Sequence, residues 1–459
     1  MPDDYDAPRW DARLAELARA GGATEADVAR FDVALTVCAM RLVSDLHIGR
    51  INPRHFAFGL SVEGKKYDLP RLLHERLKSA DDVSRVLDDV EPPFAGYHRA
   101  REALVRYTDL ARQDTAETLA VPPKSLRVGQ PYAGAARLRR LLTLVGDLAP
   151  DSTAPADSGL YDAALAEGVK RFQRRHGLDA DGRLGAATVK QLDVPLTQRV
   201  RQLQLALERW RWAPVEFPTP PIVVNIPDFR LRGLDESNRV ALEMRVVVGK
   251  AMRNETPVFS DEMTYLVLRP YWNVPASIRR GEIVPAIEKN RGYLASRRYE
   301  ITTHDGKLVT DGAVSDEVLA QLKAGRLAVR QKPGPANSLG LVKLMFPNEF
   351  NVYLHDTPAT TLFARSRRDF SHGCIRVEKP DELAAWVLRG DAAWPLERIR
   401  EAMKSGPDDV TVKLARPIPV LIVYATALAD ENGEVHFYED IYGHDASLEQ
   451  ALARGYPYP

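Results

Sequence analysis

The sequence predicts a multidomain protein of the α+β class, in which a helical scaffold carries a three-helix module and precedes a mainly β domain with a helical lid insertion. The chain has 459 residues, more than one ordinary domain contains. In its first half, apolar residues recur at intervals of three and four, the spacing of amphipathic helices. After the proline-rich segment 218–221, short β-branched runs bounded by turn residues indicate strands instead.

Composition narrows the class of protein. Hydrophobic residues make up 45% and charged residues 27% of the chain, which is typical of a globular protein with ample core. The 63 basic and 63 acidic residues balance, so there is no electrostatic case for binding nucleic acid or an anionic membrane. The N-terminus lacks the basic and apolar regions of a signal peptide. We therefore expect either a cytoplasmic protein or one whose leader has been removed.

The helical scaffold is assigned to residues 1–125 and is expected to resume at 194–219. Its clearest helix is capped by Thr24 and runs to about Leu46. Apolar residues fall on one face of this helix, and Cys38 lies among them. We expect Cys38 to belong to the core, where a cysteine behaves as a small apolar residue.

Residues 126–193 are predicted to form a bundle of three short helices, with a flexible polar loop at 150–159. The sequence VKRFQRRHGL at 169–178, followed by DG at 181–182 and TVKQL at 188–192, resembles the peptidoglycan-binding domain 1 family. The resemblance implies a module that binds cell wall. A generic three-helix module that only packs against its neighbours is the alternative.

The β domain is assigned to residues 220–445, and residues 277–337 within it behave differently. Apolar spacing there predicts helices, and the segment ends in Pro-Gly-Pro at 333–335. Such an insertion is either a lid over a cleft or a packed subdomain that does not move.

The chemistry of the β domain centres on the sequence SHGCIR at 371–376. Thiolate is the nucleophilic form of cysteine, and a nearby imidazolium commonly favours it. Strict alternation along 350–355 places Tyr353 and His355 on one face of a predicted strand. Gly373 permits a tight turn that would expose the thiol of Cys374. A structural cysteine in that turn is the simpler alternative.

A metal site at Cys374, His372 and His355 is the other rival. No Cys-x-x-Cys or His-Glu-x-x-His pattern supports it. We therefore predict no metal and no cofactor.

The histidine followed by SHGCIR resembles the L,D-transpeptidase family with a YkuD-type catalytic domain, a β sandwich. The segments 332–340 and 346–350 are similar to the large, YcbB-like branch of this family, which also joins a helical scaffold, a peptidoglycan-binding domain and a lid-bearing catalytic domain. Arg376 departs from the commonest signature, in which asparagine stands at that position.

The resemblance implies a role for each residue of the motif. His355 would deprotonate Cys374, with its second ring nitrogen held by the backbone carbonyl of Asp356. Cys374 would attack a tetrapeptide stem, release D-alanine and pass the acyl group to a second stem in a 3→3 cross-link. The remaining site residues would hold the oxyanion (the N–H groups of Gly373 and Cys374, helped by Tyr353 and His372) or bind substrate (Ser371, Arg376, Trp272 and Asn273).

The implied partners are peptidoglycan stem peptides as donor and acceptor, carbapenems as covalent inhibitors, and cell-wall synthases. The implied location is the periplasm, and the implied process is cell-wall synthesis and cell shape. Two alternatives stay open: an L,D-carboxypeptidase or endopeptidase of the same fold, and a non-catalytic wall-binding scaffold. The presence of Cys374, His355 and Gly373 argues against the scaffold alone.

Overall fold

The computed structural model describes residues 5, 7–19, 23–56, 58–65, 68–115, 117–150 and 159–454. The chain divides into two compact units, Met1–Glu216 with Ala425–Pro459, and Phe217–Tyr424. The first unit is largely helical and the second is built on a nine-stranded sheet, so the α+β prediction is confirmed. No helix among the described residues is both long and apolar enough to cross a bilayer.

The first unit begins with the scaffold helices. Thr24 caps the longest of them through a capping box with Asp27, in which each side chain accepts the backbone N–H of the other residue. The helices are α1 (Ala7–Leu17), α2 (Glu25–Ile48), α3 (Leu69–Leu72, continued by the π-helical turn Leu73–Leu77), α4 (Val83–Val90) and α5 (Ala95–Gln113), with 3₁₀ turns at Pro53–Phe56 and Glu63–Lys65.

Helix α2 buries only its C-terminal part. Val43 packs with Leu72 and Val90 in a small core cluster. Val28 and Leu35 are 52% and 43% exposed, and Cys38 is half-buried rather than part of the core. The sequence prediction failed here because the 24 residues of α2 extend about 36 Å, well past the short helices that cover its end.

The three-helix module follows with a core of its own. Its elements are β1 (Gln130–Pro131), α6 (Ala135–Leu144), β2 (Leu160–Tyr161), α7 (Ala163–Arg175) and α8 (Ala186–Leu192). The short β1–β2 ladder was not predicted. Residues 151–158 of the predicted flexible loop lie outside the described residues. The three predicted helices bury the apolar faces expected of them, with Leu138, Leu165, Val169, Phe172 and Val189 in one cluster.

A buried arginine joins this module to the scaffold. The Arg175 guanidinium donates to the Asp147 carboxylate (Nε–Oδ1 2.8 Å), to the Tyr107 hydroxyl (3.0 Å) and to the Val435 carbonyl (3.2 Å). Helix α9 (Leu196–Trp210) then returns along α5, where Leu203 and Ala103 share a cluster. The module is therefore inserted between two scaffold helices that contact each other.

The second unit contains most of the strands. In chain order they are β3 (Ile222–Asn225), β4 (Arg230–Leu234), β5 (Val240–Gly249), β6 (Phe259–Leu268), β7 (Trp272–Asn273), β8 (Tyr299–Thr302), β9 (Leu308–Thr310), β10 (Ala328–Gln331), β11 (Val342–Met345), β12 (Leu354–His355), β13 (Asp369–Ser371), β14 (Ile375–Val377) and β15 (Val410–Val423). Its helices are α10 (Ala276–Ile278, continued by the π-helical turn Arg279–Ile283), α11 (Val284–Lys289), α12 (Tyr293–Arg297), α13 (Asp316–Lys323), α14 (Pro380–Val387) and α15 (Leu396–Ser405), with a 3₁₀ turn at Thr360–Ala364.

The main sheet closes on itself. Its strand order is β13-β5-β14-β12-β11-β6-β15-β3-β4, and β4 also pairs with β5. Closure satisfies the backbone groups that a sheet edge would leave unpaired. Strands β12 and β14 run parallel at the centre of the order, so the histidine and cysteine segments of the motif are direct neighbours.

The insertion at 277–337 is a small α/β subdomain rather than a purely helical one. Strands β8, β9 and β10 join β7 in an antiparallel sheet, and the helices cover it. Ile287, Leu294, Ile301 and Val329 lie in its core. The sequence analysis missed these strands because each is only three or four residues long, too short for a clear alternation.

The predicted strand 350–355 is paired only at Leu354–His355. Asn351 has φ +55°, a left-handed conformation that a strand does not accommodate. The Asn348 side chain also accepts the Val352 N–H (3.1 Å), as in a turn.

The chain ends in the first unit. Strands β16 (Ala427–Ala429) and β17 (Val435–Phe437) form a hairpin, and α16 (His444–Arg454) follows. Phe437 and Ala427 pack with Tyr107 and Leu203 of the scaffold. The β domain was expected to run to residue 445, whereas the second unit runs to Tyr424.

Candidate active site

The loop that carries Cys374 is fixed by buried hydroxyl groups. Gly373 adopts φ +113°, which a side chain would strain. The Ser371 hydroxyl donates to the Cys374 carbonyl (2.6 Å) and accepts the Gly373 N–H (3.1 Å). The Thr256 hydroxyl donates to the Gly373 carbonyl (2.8 Å) and accepts the Gly249 N–H (2.8 Å). The loop is thus held from both sides.

These bonds change two of the expected roles. Ser371 is 3% exposed and uses its hydroxyl within the loop, so it is not placed to bind substrate as the sequence analysis expected. The Gly373 N–H is committed to Ser371 and does not fit the expected oxyanion role. The Cys374 N–H, by contrast, donates to no residue in the described part of the chain.

Cys374 is half-buried and lies against Tyr353. Its Sγ is 3.7 Å from the Asn351 carbonyl oxygen, and the Tyr353 hydroxyl hydrogen-bonds with the sulfur. Burial raises the pKa of the Cys374 thiol above its usual value, while hydrogen bonds from Tyr353 and the charges of Lys343 and Arg376 oppose that rise. The thiol is therefore protonated at neutral pH.

His355 is buried, 4% exposed, and neutral. Burial and the neighbouring charges of Arg376 and Lys343 lower its pKa to about 3. Nδ1 lies 2.5 Å from the Asp356 carbonyl oxygen, where the sequence analysis expected it. Because a carbonyl only accepts, Nδ1 carries the proton and Nε2 has a free lone pair. The Tyr353 and His355 ring centroids are 5.7 Å apart.

Arg376 lies beside His355 in the parallel β12–β14 pair. Its Nε is buried and has no hydrogen-bond partner among the described residues. Burial lowers the pKa of the guanidinium, although it stays charged. A buried, unsatisfied N–H of a charged group costs free energy, so a ligand that accepts from it would be favoured.

The other predicted site residues, Trp272, Asn273 and His372, lie in or against the insertion. Trp272 is half-buried in β7 and hydrogen-bonds the Tyr353 side chain. Asn273 is exposed in the same strand. His372 is exposed, and its Nε2 lies 2.7 Å from Glu282 Oε1 in the insertion, so this nitrogen faces the insertion rather than the sulfur.

Three residues of the site, Thr256, Lys343 and Glu282, were not predicted from the sequence. Thr256 and Glu282 belong to no motif, and their contacts depend on segments that are distant in the chain. Lys343 had one signal: it is the charged residue within the otherwise apolar run Leu341 to Phe346.

A metal could be held, among the described residues, by Asp430, Glu434 and His436, whose ligand atoms lie within 4.8 Å of one another. Asp430 and Glu434 lie in the β16–β17 hairpin turn, where Asp430 Oδ1 accepts the Glu434 N–H (2.9 Å), and His436 lies in β17. The carboxylate builds that turn, and the group lies in the first unit, outside the site described above.

Comparisons with known families match three parts of the chain. Residues 220–400 match the family YkuD, described as "L,D-transpeptidase catalytic domain". Residues 1–104 match a "Scaffold domain", and residues 134–192 match a "Putative peptidoglycan binding domain".

A curated relative from Haemophilus influenzae is named "Putative L,D-transpeptidase". It is 33% identical over 230 residues, which are 50% of this chain and 45% of the relative. The matched region thus spans about half the length of each protein.

Two solved structures were also matched. One is the L,D-transpeptidase (Yku) from Stackebrandtia nassauensis, at 14% identity and TM-score 0.25, covering 66% of this chain and 97% of that one. The other is the Ldtfm-avibactam carbamoyl enzyme, at 11% identity and TM-score 0.21, covering 70% and 98%. At these TM-scores neither structure carries weight in the assignment. On these matches, residues 220–400 are similar to the YkuD L,D-transpeptidase catalytic domain, and the same chain carries matches to a scaffold domain and to a putative peptidoglycan binding domain.

Proposed function

We propose that the chain is a peptidoglycan L,D-transpeptidase that forms 3→3 cross-links through a thioester on Cys374. The observation that carries the proposal is that the parallel β12–β14 pair brings the segment of the neutral His355 beside the segment of Cys374. The imidazole has its Nδ1 proton committed to Asp356, so Nε2 is ready to accept a proton. A cysteine next to an oriented base is the arrangement that acyl transfer needs.

In the first half-reaction, Cys374 attacks the carbonyl between the third residue of a tetrapeptide stem and its terminal D-alanine. The thiol proton passes to His355 Nε2 as the S–C bond forms. The C–N bond then breaks, and the same proton passes from His355 to the leaving amine. D-Alanine departs and the stem remains on Cys374 as a thioester.

Oxyanion stabilisation falls to two of the four donors that the resemblance implied, the Tyr353 hydroxyl and the Cys374 N–H. Burial raises the pKa of Tyr353 above its usual value, so its hydroxyl keeps its proton at working pH. Together with the Cys374 N–H it offers donors beside the reacting sulfur.

Arg376 supplies a site for a stem carboxylate. Its unsatisfied Nε lies beside the base, and a guanidinium matches the planar geometry of a carboxylate. Stem peptides carry several carboxylates. Because the net charge of the chain is zero, selectivity for these carboxylates would come from the local positive charge of this site.

In the second half-reaction, the side-chain amine of an acceptor stem attacks the thioester, His355 takes its proton, and the thiol of Cys374 reforms. Water in place of the amine would make the enzyme an L,D-carboxypeptidase. A domain of the peptidoglycan-binding family in the same chain favours a substrate in the cell wall, and thus a periplasmic or cell-wall location.

The test is mass spectrometry of muropeptides after incubation with tetrapeptide stems. The expected products are 3→3 dimers with loss of D-alanine, absent in Cys374→Ser. Trimmed tripeptides without dimers would assign the carboxypeptidase instead. If the stems are unchanged while the protein is folded and binds sacculi, the non-catalytic wall-binding scaffold would be the remaining alternative.

A further inference from the structure

Lys343 is a charged residue placed inside the catalytic sheet. Its neighbours in β11, Val342 and Leu344, are fully buried, while Lys343 itself is half-buried. In the antiparallel β11–β12 ladder Lys343 pairs directly with His355. Directly paired residues project their side chains from the same face and are close neighbours. The ammonium therefore belongs to the face that carries the base.

The ammonium also contacts the tyrosine that touches the sulfur. Lys343 Nζ lies 5.5 Å from the centroid of the Tyr353 ring, within the range of a cation–π contact. The hydroxyl of that ring hydrogen-bonds with Cys374. Lys343, Tyr353, His355 and Cys374 thus form one cluster.

No carboxylate pairs with this ammonium in the part of the chain that the structure describes. Asp409 acts on Lys343 electrostatically without an ion pair, and its Oδ1 accepts the Tyr271 N–H (3.3 Å). Taking an ammonium out of water without a counter-ion is costly. An apolar residue at position 343 would avoid this desolvation cost. The presence of a lysine there therefore indicates that its charge has a function.

We propose that Lys343 is a positioning residue of the reaction, whose ammonium, held on the Tyr353 ring without a carboxylate partner, stabilises the negative charge that develops on Cys374. This inference rests on the proposed function in one respect, that Cys374 is the nucleophile. It adds a source of thiolate stabilisation other than an imidazolium.

The charged groups around the sulfur support this role for Lys343. The groups that act on the charge of Cys374 are Tyr353, Lys343 and Arg376. His355 pairs with Arg376, which lies two residues along the chain from Cys374. Lys343 and Arg376 both lower the pKa of the thiol, against the larger effect of burial. Both also lower the pKa of His355. A proton taken by His355 is therefore released readily to the leaving amine. The two cations stabilise the sulfur while it carries negative charge, before the S–C bond is complete and again when the acceptor amine displaces it.

The experiment measures the rate of Cys374 alkylation by iodoacetamide against pH in the wild-type chain, Lys343→Met and Lys343→Arg. Peptide mass spectrometry separates Cys374 from Cys38, which serves as an internal reference. We expect Lys343→Met to move the Cys374 inflection up by about one pH unit, so that the rate below the inflection falls about tenfold. Lys343→Arg should restore most of the rate, and Cys38 should not change in any variant.

Two results would overturn the inference: a wild-type profile in Lys343→Met, or an equal shift in Lys343→Arg, which would indicate packing rather than charge. Lys413→Met, at an exposed lysine of β15, is the matched control and should leave the profile unchanged. If Lys343→Met does not fold, Lys343→Gln replaces it. Alkylation needs no peptidoglycan. The alkylation profile therefore tests the role of Lys343 even if the chain forms no cross-links, and the cross-linking assay tests the proposed function even if Lys343 has no effect on alkylation.

Discussion

Cys374 and His355 have surroundings that disfavour a permanent ion pair. Burial raises the pKa of the thiol, and burial together with Arg376 and Lys343 lowers the pKa of the imidazole to about 3. The resting site therefore holds a neutral thiol and a neutral base. In the proposed reaction, His355 would become charged only while it carries the proton from Cys374 to the leaving group, which is the behaviour of a general base.

The pH dependence of acylation follows from this state. With His355 unprotonated at neutral pH and well below it, the rate of acylation by a carbapenem should stay flat between about pH 7 and pH 5. The measurement is the growth of the adduct by intact mass across that range. A rate that halves near pH 6.5, the usual pKa of histidine, would show that the base titrates normally and would contradict the account.

At this scale the sequence was informative for Cys374 and His355, because the spacing of their motif is local, whereas the alternation used to place Tyr353 belongs to a strand that is paired only at Leu354–His355. The sequence was not informative for Lys343 and Thr256. Lys343 reaches the site through cross-strand register with His355, and Thr256 through a hydroxyl that spans 117 positions of the chain to Gly373. Neither relation leaves a local pattern in the sequence.

Among the elements, the loop 371–376 depends on a threonine from the segment between β5 and β6. Thr256→Val keeps the shape of the side chain but removes the buried hydroxyl that accepts the Gly249 N–H and donates to the Gly373 carbonyl. We expect a loss of about 2 kcal/mol in the free energy of unfolding and slower acylation.

Chemical denaturation and the carbapenem adduct assay measure the two effects. Thr256→Ser retains the hydroxyl and is the matched control. It should keep most of the stability and most of the acylation rate. Acylation that is unaffected in Thr256→Val would show that the loop is held without this hydroxyl.

The insertion shows why elements are harder to predict than motifs. Its helices were expected from apolar spacing, but β8, β9 and β10 are too short for alternation to stand out. They become strands because each pairs with a neighbour in one sheet. Whether this subdomain moves stays a prediction, and the His372–Glu282 contact is the link that such a movement would break.

At the scale of the whole molecule, local pattern does not decide which unit a segment joins. Residues 427–437 have the same strand character whether they extend the catalytic sheet or form a separate hairpin. Their apolar side chains pack with Tyr107 and Leu203, so they belong to the first unit. That choice rests on contacts more than 200 positions apart in the chain, which alternation and turn residues cannot encode.

Acid stability should reflect the buried histidines. Burial lowers the pKa of His355 to about 3 and of His444 to about 4, and holds that of His176 well below its usual value. Since the unfolded chain binds protons at these sites near pH 6.5 and the folded chain does not, stability is full above that pH and falls as pH decreases. At about pH 5, each fully buried histidine would cost about 2 kcal/mol.

Thermal unfolding at about pH 7 and about pH 5 tests this linkage. His355→Gln retains a donor for the Asp356 carbonyl but does not titrate, so the transition of the second unit should lose less stability than in the wild type. An equal loss in both proteins would show that His355 does not couple folding to protonation.

The central claim is that Cys374 carries the acyl group, and intact-protein mass spectrometry tests it most directly. The chain is incubated with a tetrapeptide donor in the absence of an acceptor, and the modified residue is located by peptide mapping. The account predicts an adduct with the mass of the donor minus D-alanine on Cys374, absent in Cys374→Ser. An adduct on another residue, or one that persists in Cys374→Ser, would contradict it.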